Sequence, residues 1–223
     1  MEVSRNLEVI QEKIGQACEK SGRKPNDITV IGVTKYVTIE RTKEAIESGV
    51  KNLGENRNEG FLEKYNYFGK QVKWHFIGTM QSRKVKDVID KIDVLHSLDR
   101  ISLAKEINKR STAPVDCFVQ VNVSGEESKH GMEPEEVLPF IEKLETYPHI
   151  RVIGLMTMAP HIDEPTRIRK VFRNLAELRD NIKEKQWNHA PCEYLSMGMS
   201  NDYEIAIEEG ATHIRIGSNL VGS

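Results

Sequence analysis

The stretch ITVIGVTKYVT, residues 28–38, decides between the folds open to this chain. Its first seven residues, Ile28 to Thr34, are mostly β-formers and read as a buried strand. The strand runs onto Lys35, and Thr38 then caps a helix that continues through Ser48 and stops at Gly49. Strand, turn and helix in that order open an α/β unit. In a doubly wound dinucleotide-binding sheet the first such turn carries G-x-G-x-x-G. Here it reads T-K-Y-V-T. The missing glycines leave the open sheet as a rival and favour a barrel.

Outward from this unit the alternation continues. Short apolar runs follow at Val50–Leu53, Lys73–Ile77, Asp93–His96, Val115–Val123, Arg151–Met156, Glu193–Ser196 and Thr212–Ile216. Helical patterns separate them at Arg57–Tyr65, Ser82–Lys91, Arg100–Lys109, Pro134–Thr146, Glu164–Lys185 and Asn201–Glu209. Regular alternation implies parallel strands joined by crossovers. Eight strands in 223 residues fit a single (β/α)8 TIM barrel, one domain over 1–223. An extra helix precedes it, with Val3, Leu7, Ile10, Ile14 and Cys18 on one face.

Composition excludes several functions. The formal net charge is −2 with basic residues scattered, so nucleic acid is not an expected partner. No apolar run reaches 18 residues and the N-terminus lacks a signal-peptide core, so neither a membrane span nor export is expected. Cys18, Cys117 and Cys192 are few, odd in number and far apart, which fits a reducing cytoplasm without disulfides or structural zinc. The histidines show no metal-binding spacing, and His75, inside a strand, reads as a satisfied core residue. No apolar stripe or heptad suggests an oligomer, so a monomer is expected.

Barrel sites lie at the C-terminal strand ends. The seventh run is followed by S-M-G-M-S, residues 196–200, and the eighth by Gly217-Ser218. Hydroxyls and small residues ahead of a helix suit a phosphate group, although Ser200 also reads as a plain helix cap. Asp202 and Glu204 would compete for that helix end. A strand-end lysine is ordinarily solvated. A partly desolvated one attacks aldehydes and ketones. Around a closed barrel, Lys35 and the last two loops are neighbours. A ligand with an aldehyde and a phosphate fits that pairing: pyridoxal 5′-phosphate (PLP), or a sugar phosphate in a class I aldolase.

Eight stretches then carry a family resemblance: V-T-K-Y (33–36), G-E-N (54–56), W-H-F-I-G-T-M-Q (74–81), H-S-L-D-R (96–100), Q-V-N-V-S-G-E-E-S-K-H-G (120–131), G-L-M-T-M-A-P (154–160), L-S-M-G-M-S-N-D (195–202) and R-I-G-S (215–218). On these residues the chain resembles the PLP homeostasis proteins of the YggS, or proline synthetase co-transcribed, type. The resemblance implies a barrel like the N-terminal domain of alanine racemase. It implies that Lys35 holds PLP as a Schiff base. Ser200, Gly217 and Ser218 would hold the phosphate, with Ser196 alongside. Arg215 would face the pyridine nitrogen and Asn56 would lie near the ring. The implied role is buffering or delivery of PLP to apoenzymes, without established turnover. The alternative is a weak amino-acid racemase-like enzyme, opposed by the absence of a second domain bearing the opposing base. Arg57 and Arg83 depart from the family pattern. Lys129 and His130 lie in a loop near the expected site. Met156, Met158, Met197 and Met199 read as packing residues.

Overall fold

The computed structural model describes residues 2–126 and 130–222. Glu127, Ser128 and Lys129 lie outside the described residues, and with them the expectation for Lys129. Eight parallel strands close on themselves in sequence order, and the first pairs with the last. They are β1 Thr29–Val33, β2 Asn52–Glu55, β3 Lys73–Phe76, β4 Val94–Leu98, β5 Val115–Gln120, β6 Ile150–Met156, β7 Tyr194–Met199 and β8 His213–Ile216. The helices are α1 Glu2–Ser21, α2 Ile39–Glu47, α3 Asn58–Phe68, α4 Val85–Val88, α5 Ile101–Arg110, α6 Pro134–Lys143, α7 Pro165–Lys183, α8 Tyr203–Glu208 and α9 Ser218–Val221. The architecture is the (β/α)8 barrel with its additional N-terminal helix.

Local chemistry explains where the elements begin and end. Val3, Leu7, Ile10, Ile14 and Cys18 of α1 are all buried, as their helical spacing requires. Thr38 caps α2, its hydroxyl accepting from the Arg41 N–H at 3.2 Å, and Gly49 follows with φ +102°. β2 lies two residues later than the apolar run suggests. Val50 is held by the last turn of α2, its N–H donating to Ala45 O, while Gly54 and Glu55 pair with β3. β7 runs on through Met199, so most of S-M-G-M-S is strand rather than loop. The expected helix over Ser82–Lys91 is a 3-10 turn, Ser82–Lys84, followed by the short α4. The sequence reading missed α9.

Two apolar cores result. A large one fills the layer between sheet and helices, including Leu53, Phe61, Trp74, Phe172 and Leu195. A small one, Val94, Phe118, Ile153 and Met156, lies within the barrel. The lumen is unusual in that polar side chains from β2, β3, β4, β7 and β8 share it. β4 and β7 are not neighbours, so the 2.8 Å contact of His96 Nδ1 with Ser196 Oγ crosses the interior. His96 also stacks on Phe118, ring centroids 4.5 Å apart. Both nitrogens of His75 are partnered, so it is a satisfied interior histidine.

Candidate functional site

Past the end of β1 the chain is tied down at Thr34, whose carbonyl is taken by a side chain from outside the sheet. β1 ends at Val33, and Thr34 is wholly buried. The Thr34 hydroxyl donates to Glu55 Oε1 at 2.6 Å. The Lys64 ammonium, from α3, donates to Thr34 O and to Glu55 Oε1, both at 2.7 Å. Side chains of Lys64 and Glu55 are only 5% and 2% exposed, so this is an ion pair in the protein interior. It pins the turn, and the next two residues are exposed. Tyr36 takes the left-handed φ of +69°, and the residue is 75% exposed. Lys35 Nζ and Arg57 Cζ each lie 5.6 Å from the centroid of its ring.

The opposite wall comes from the ends of β7 and β8. Gly198 has φ +96°, and a Cβ there would meet Ala206 Cβ at 2.6 Å. That glycine lets the chain turn tightly onto α8. The Asp202 carboxylate closes the turn by accepting from the Met199 N–H at 2.6 Å. Asp202, not Ser200, is the cap residue of α8. Burial raises the Asp202 carboxyl above the usual range, against the Met199 N–H and the Arg215 charge, which lower it. Glu204 turns away to pair with Lys13 at 3.2 Å. Asn219 ties the two loops together, its side-chain amide donating to Ser200 O at 2.9 Å. The backbone N–H groups of Ser200, Asn201, Gly217 and Ser218 make no hydrogen bond to another described residue.

Arg215 forms the floor. It projects from β8 and is 4% exposed, far from a surface position beside Glu208 and Glu209. Those glutamates pair instead with Arg169, at 2.6 and 2.8 Å. Arg215 Nη1 donates to Ser196 Oγ at 2.5 Å and Nη2 to Thr157 O at 3.0 Å. Burial pushes its pKa down to about 10, with Asp202 opposing the fall, so it remains a cation near neutrality.

These walls enclose a cavity of about 460 Å³ at the C-terminal end of the barrel, within the range of small-molecule sites, roughly 300–1,000 Å³. Lys35, Asn56, Ser200, Arg215, Gly217 and Ser218 line it together. Ser196 does not: it lies wholly buried beneath, bonded to Arg215 and His96. Gln120, Thr79, His130, His161, Met156, Met158 and Met199 are also among the lining residues. Met197 packs in the outer core. Asn56 owes its position to Gly78, where a Cβ would fall 2.3 Å from Asn56 O. The sequence reading missed Thr34, Glu55 and Lys64 as supports and Gln120 as lining. Thr34, Glu55 and Gln120 were signalled only by their place at strand ends, and Lys64, inside α3, by nothing in the sequence. Among the described residues no three His, Cys, Asp or Glu side chains gather as metal ligands, and no helix is long and apolar enough to cross a membrane.

The chemistry of the lining fits an anionic aldehyde. Open N–H groups with two hydroxyls suit a phosphate, the lysine amine suits a carbonyl carbon, and a fixed guanidinium suits a heteroaromatic acceptor atom. Comparison with known proteins agrees. The family described as the N-terminal domain of alanine racemase matches residues 6–223. A pyridoxal phosphate homeostasis protein from Aquifex aeolicus is 43% identical, over 100% of this chain and 98% of that one. PipY of Synechococcus elongatus, in a structure without PLP, is 26% identical with a TM-score of 0.84, covering 96% of this chain and 100% of the other. An alanine racemase from Corynebacterium glutamicum shares the fold at 13% identity, with a TM-score of 0.74 over 98% of this chain and 60% of the racemase.

Proposed function

We propose a function from one premise: the chain belongs to the alanine racemase N-terminal domain family and, within it, to the pyridoxal phosphate homeostasis proteins. It binds PLP in the cavity at the top of the barrel and buffers it or passes it to apoenzymes, without turning over a substrate of its own. It works as one barrel unit, residues 1–223, a monomer in the cytoplasm. Large exposed apolar side chains among the described residues, Val9, Tyr36, Tyr67 and Tyr194, are scattered rather than gathered into a face, which supports the monomer.

The observation that carries the reading is the meeting of Lys35, the open N–H groups of the last two loops and Arg215 around one cavity. Bound PLP supplies an aldehyde that condenses with an amine to a Schiff base and water, and a pyridine ring whose electron demand depends on protonation of its nitrogen. Lys35 Nζ is the amine, presented on a turn that the Thr34–Glu55–Lys64 cluster holds still. Ser200 and Ser218 offer hydroxyls and N–H groups to the phosphate, and Gly217 keeps the approach free of a side chain, with Ser196 supporting from beneath. Asn56, on the cavity wall, would stand near the ring. Arg215 cannot accept a proton and repels a second positive charge, so it keeps the ring nitrogen unprotonated and the ring a weak electron sink. A carrier needs that restraint, because a strong sink would labilise bonds of any amine that enters.

The test is a visible absorption spectrum of purified protein with PLP, before and after borohydride, for the wild type and Lys35→Ala. A yellow wild type that bleaches on reduction and carries the tag on Lys35 is expected, with no reducible band in the variant. A wild type that stays colourless with added PLP sinks the proposal.

A further inference from the structure

Below the cavity, Arg215 is the first member of a hydrogen-bonded row that crosses the lumen. Arg215 Nη1 donates to Ser196 Oγ. Ser196 Oγ lies 2.8 Å from His96 Nδ1, His96 Nε2 lies 2.8 Å from His75 Nδ1, and His75 Nε2 lies 3.0 Å from Asn52 Oδ1. Ser196, His96 and His75 are 0%, 0% and 2% exposed. The row joins the ligand end of the barrel to Asn52, the first residue of β2 at the opposite end.

Its polarity is set by its members. A guanidinium has no acceptor, so Ser196 Oγ accepts from Arg215 and spends its own proton on His96 Nδ1. His96 therefore carries its hydrogen on Nε2 and donates to His75 Nδ1. His75 in turn carries its hydrogen on Nε2 and donates to the Asn52 carbonyl oxygen. Reversing the row would need the Asn52 amide turned over, and would leave the buried Ser196 hydroxyl proton without an acceptor in it. A buried donor left without an acceptor loses its solvation uncompensated, which decides for the first direction. Both histidines are neutral. Burial drives their pKa values down, that of His75 to about 3, helped by His213 and Lys73, and that of His96 well below the ordinary value, helped by His75, His213 and Arg215.

We propose that Ser196 and His96 are positioning residues for Arg215, their row down to Asn52 fixing the rotation of the guanidinium so that its remaining N–H edge meets the ring nitrogen of the bound cofactor. This rests on the proposed placement of PLP in the cavity. Thr157 O holds Nη2 from the other side, so the two anchors leave the planar group one orientation. The neutral row also offers no acid to the ring nitrogen from below.

The experiment uses full-length protein reconstituted with PLP labelled with ¹⁵N in the ring, and reads the ring-nitrogen chemical shift. An unprotonated nitrogen is expected in the wild type and a protonated one in Arg215→Ala. Ser196→Ala is expected to move the shift toward that of Arg215→Ala and to speed PLP loss about ten-fold, on the scale of one weakened charge-assisted contact. Failure of the wild type to bind PLP overturns the functional reading itself. An Arg215→Ala shift equal to wild type overturns the placement of the arginine. A Ser196→Ala shift equal to wild type, with Arg215→Ala changed, overturns the positioning role alone. If Ser196→Ala does not fold, histidine ¹⁵N spectra of the wild type decide. Neutral Nε2–H forms of His75 and His96 are expected, and an Nδ1–H form or a cation at neutral pH in either ring overturns the row.

Discussion

Lys64 and Glu55 show how the turn that presents Lys35 is held by residues outside the cavity lining. Their 2.7 Å ion pair is shut away from solvent and carries the carbonyl before Lys35. Lys64→Met leaves Glu55 buried without a countercharge and is expected to cost about 3–5 kcal/mol of stability. Replacing both partners by apolar residues should cost less, and the two can be compared by urea unfolding with a double-mutant cycle. Equal costs for the single and double variants would mean that the pair is incidental. Gly78 acts by the same indirect route. Its Cα stands against the Asn56 carbonyl, and Gly78→Ala places a methyl 2.3 Å from that oxygen. The wall of the cavity must then move, with an expected loss of about 1–3 kcal/mol and weaker PLP retention, readable in a thermal melt and a dialysis series. As cavity lining, Lys35, Ser200, Gly217 and Ser218 were legible in the sequence because strand-end position and residue type coincide there, and Asn56 through the family resemblance. Lys64 was not. A lysine inside an amphipathic helix reads as solvated until α3 is seen lying against the β1 turn.

The elements were legible wherever period and punctuation agreed. α1 and α2 announce themselves by apolar spacing, a threonine cap and a glycine stop. β2 and β7 shift or lengthen for a reason that no local run contains: in a closed parallel barrel the neighbouring strands choose the register. Gly54 and Glu55 are recruited by β3, and β7 is drawn out to Met199 beside Arg215 of β8. The four-residue α9 carries too little pattern to be seen. Yet α9 helps hold the loops after β7 and β8 together. Asn6 of α1 donates to Leu220 O at 3.0 Å, and Asn219 of α9 reaches across to Ser200 O. Asn219→Ala removes the bridge between the two loops while touching no buried group, since Asn219 is exposed. Unfolding should be nearly unchanged, whereas PLP should dissociate several-fold faster, about the worth of one hydrogen bond. An unchanged dissociation rate would show that each loop holds its shape alone.

Taken as a whole, the molecule keeps an unusual interior for its fold. Barrel lumens are ordinarily filled by layers of branched apolar side chains. Here one side of the lumen, from β4, β5 and β6, is apolar around Phe118, and a row of neutral histidines runs past it to a buried cation. That arrangement ties stability to acidity. In the folded state His75 and His96 stay neutral far below the ordinary histidine pKa, because burial depresses both. In the unfolded chain each takes up a proton as pH falls below about 6.5. The unfolded state therefore binds more protons than the native state across this window, and stability falls as pH drops. With His213, whose pKa burial lowers to about 4, three histidines give a slope approaching about 4 kcal/mol per pH unit, about 1.4 kcal/mol for each proton, between roughly pH 6 and pH 5. Buried Asp202, whose raised pKa retains its proton longer in the native state, works in the opposite direction near the acid end and blunts the loss there. Urea midpoints measured from pH 7.5 down to pH 4.5 should fall steeply once pH passes below 6.5. His75→Gln, which keeps a donor and an acceptor but cannot titrate, should flatten the curve by about one proton. A variant that is less stable throughout but has the wild-type slope would place the acid sensitivity elsewhere in the chain, and would remove the reason for regarding the lumen as a neutral, proton-poor support for Arg215.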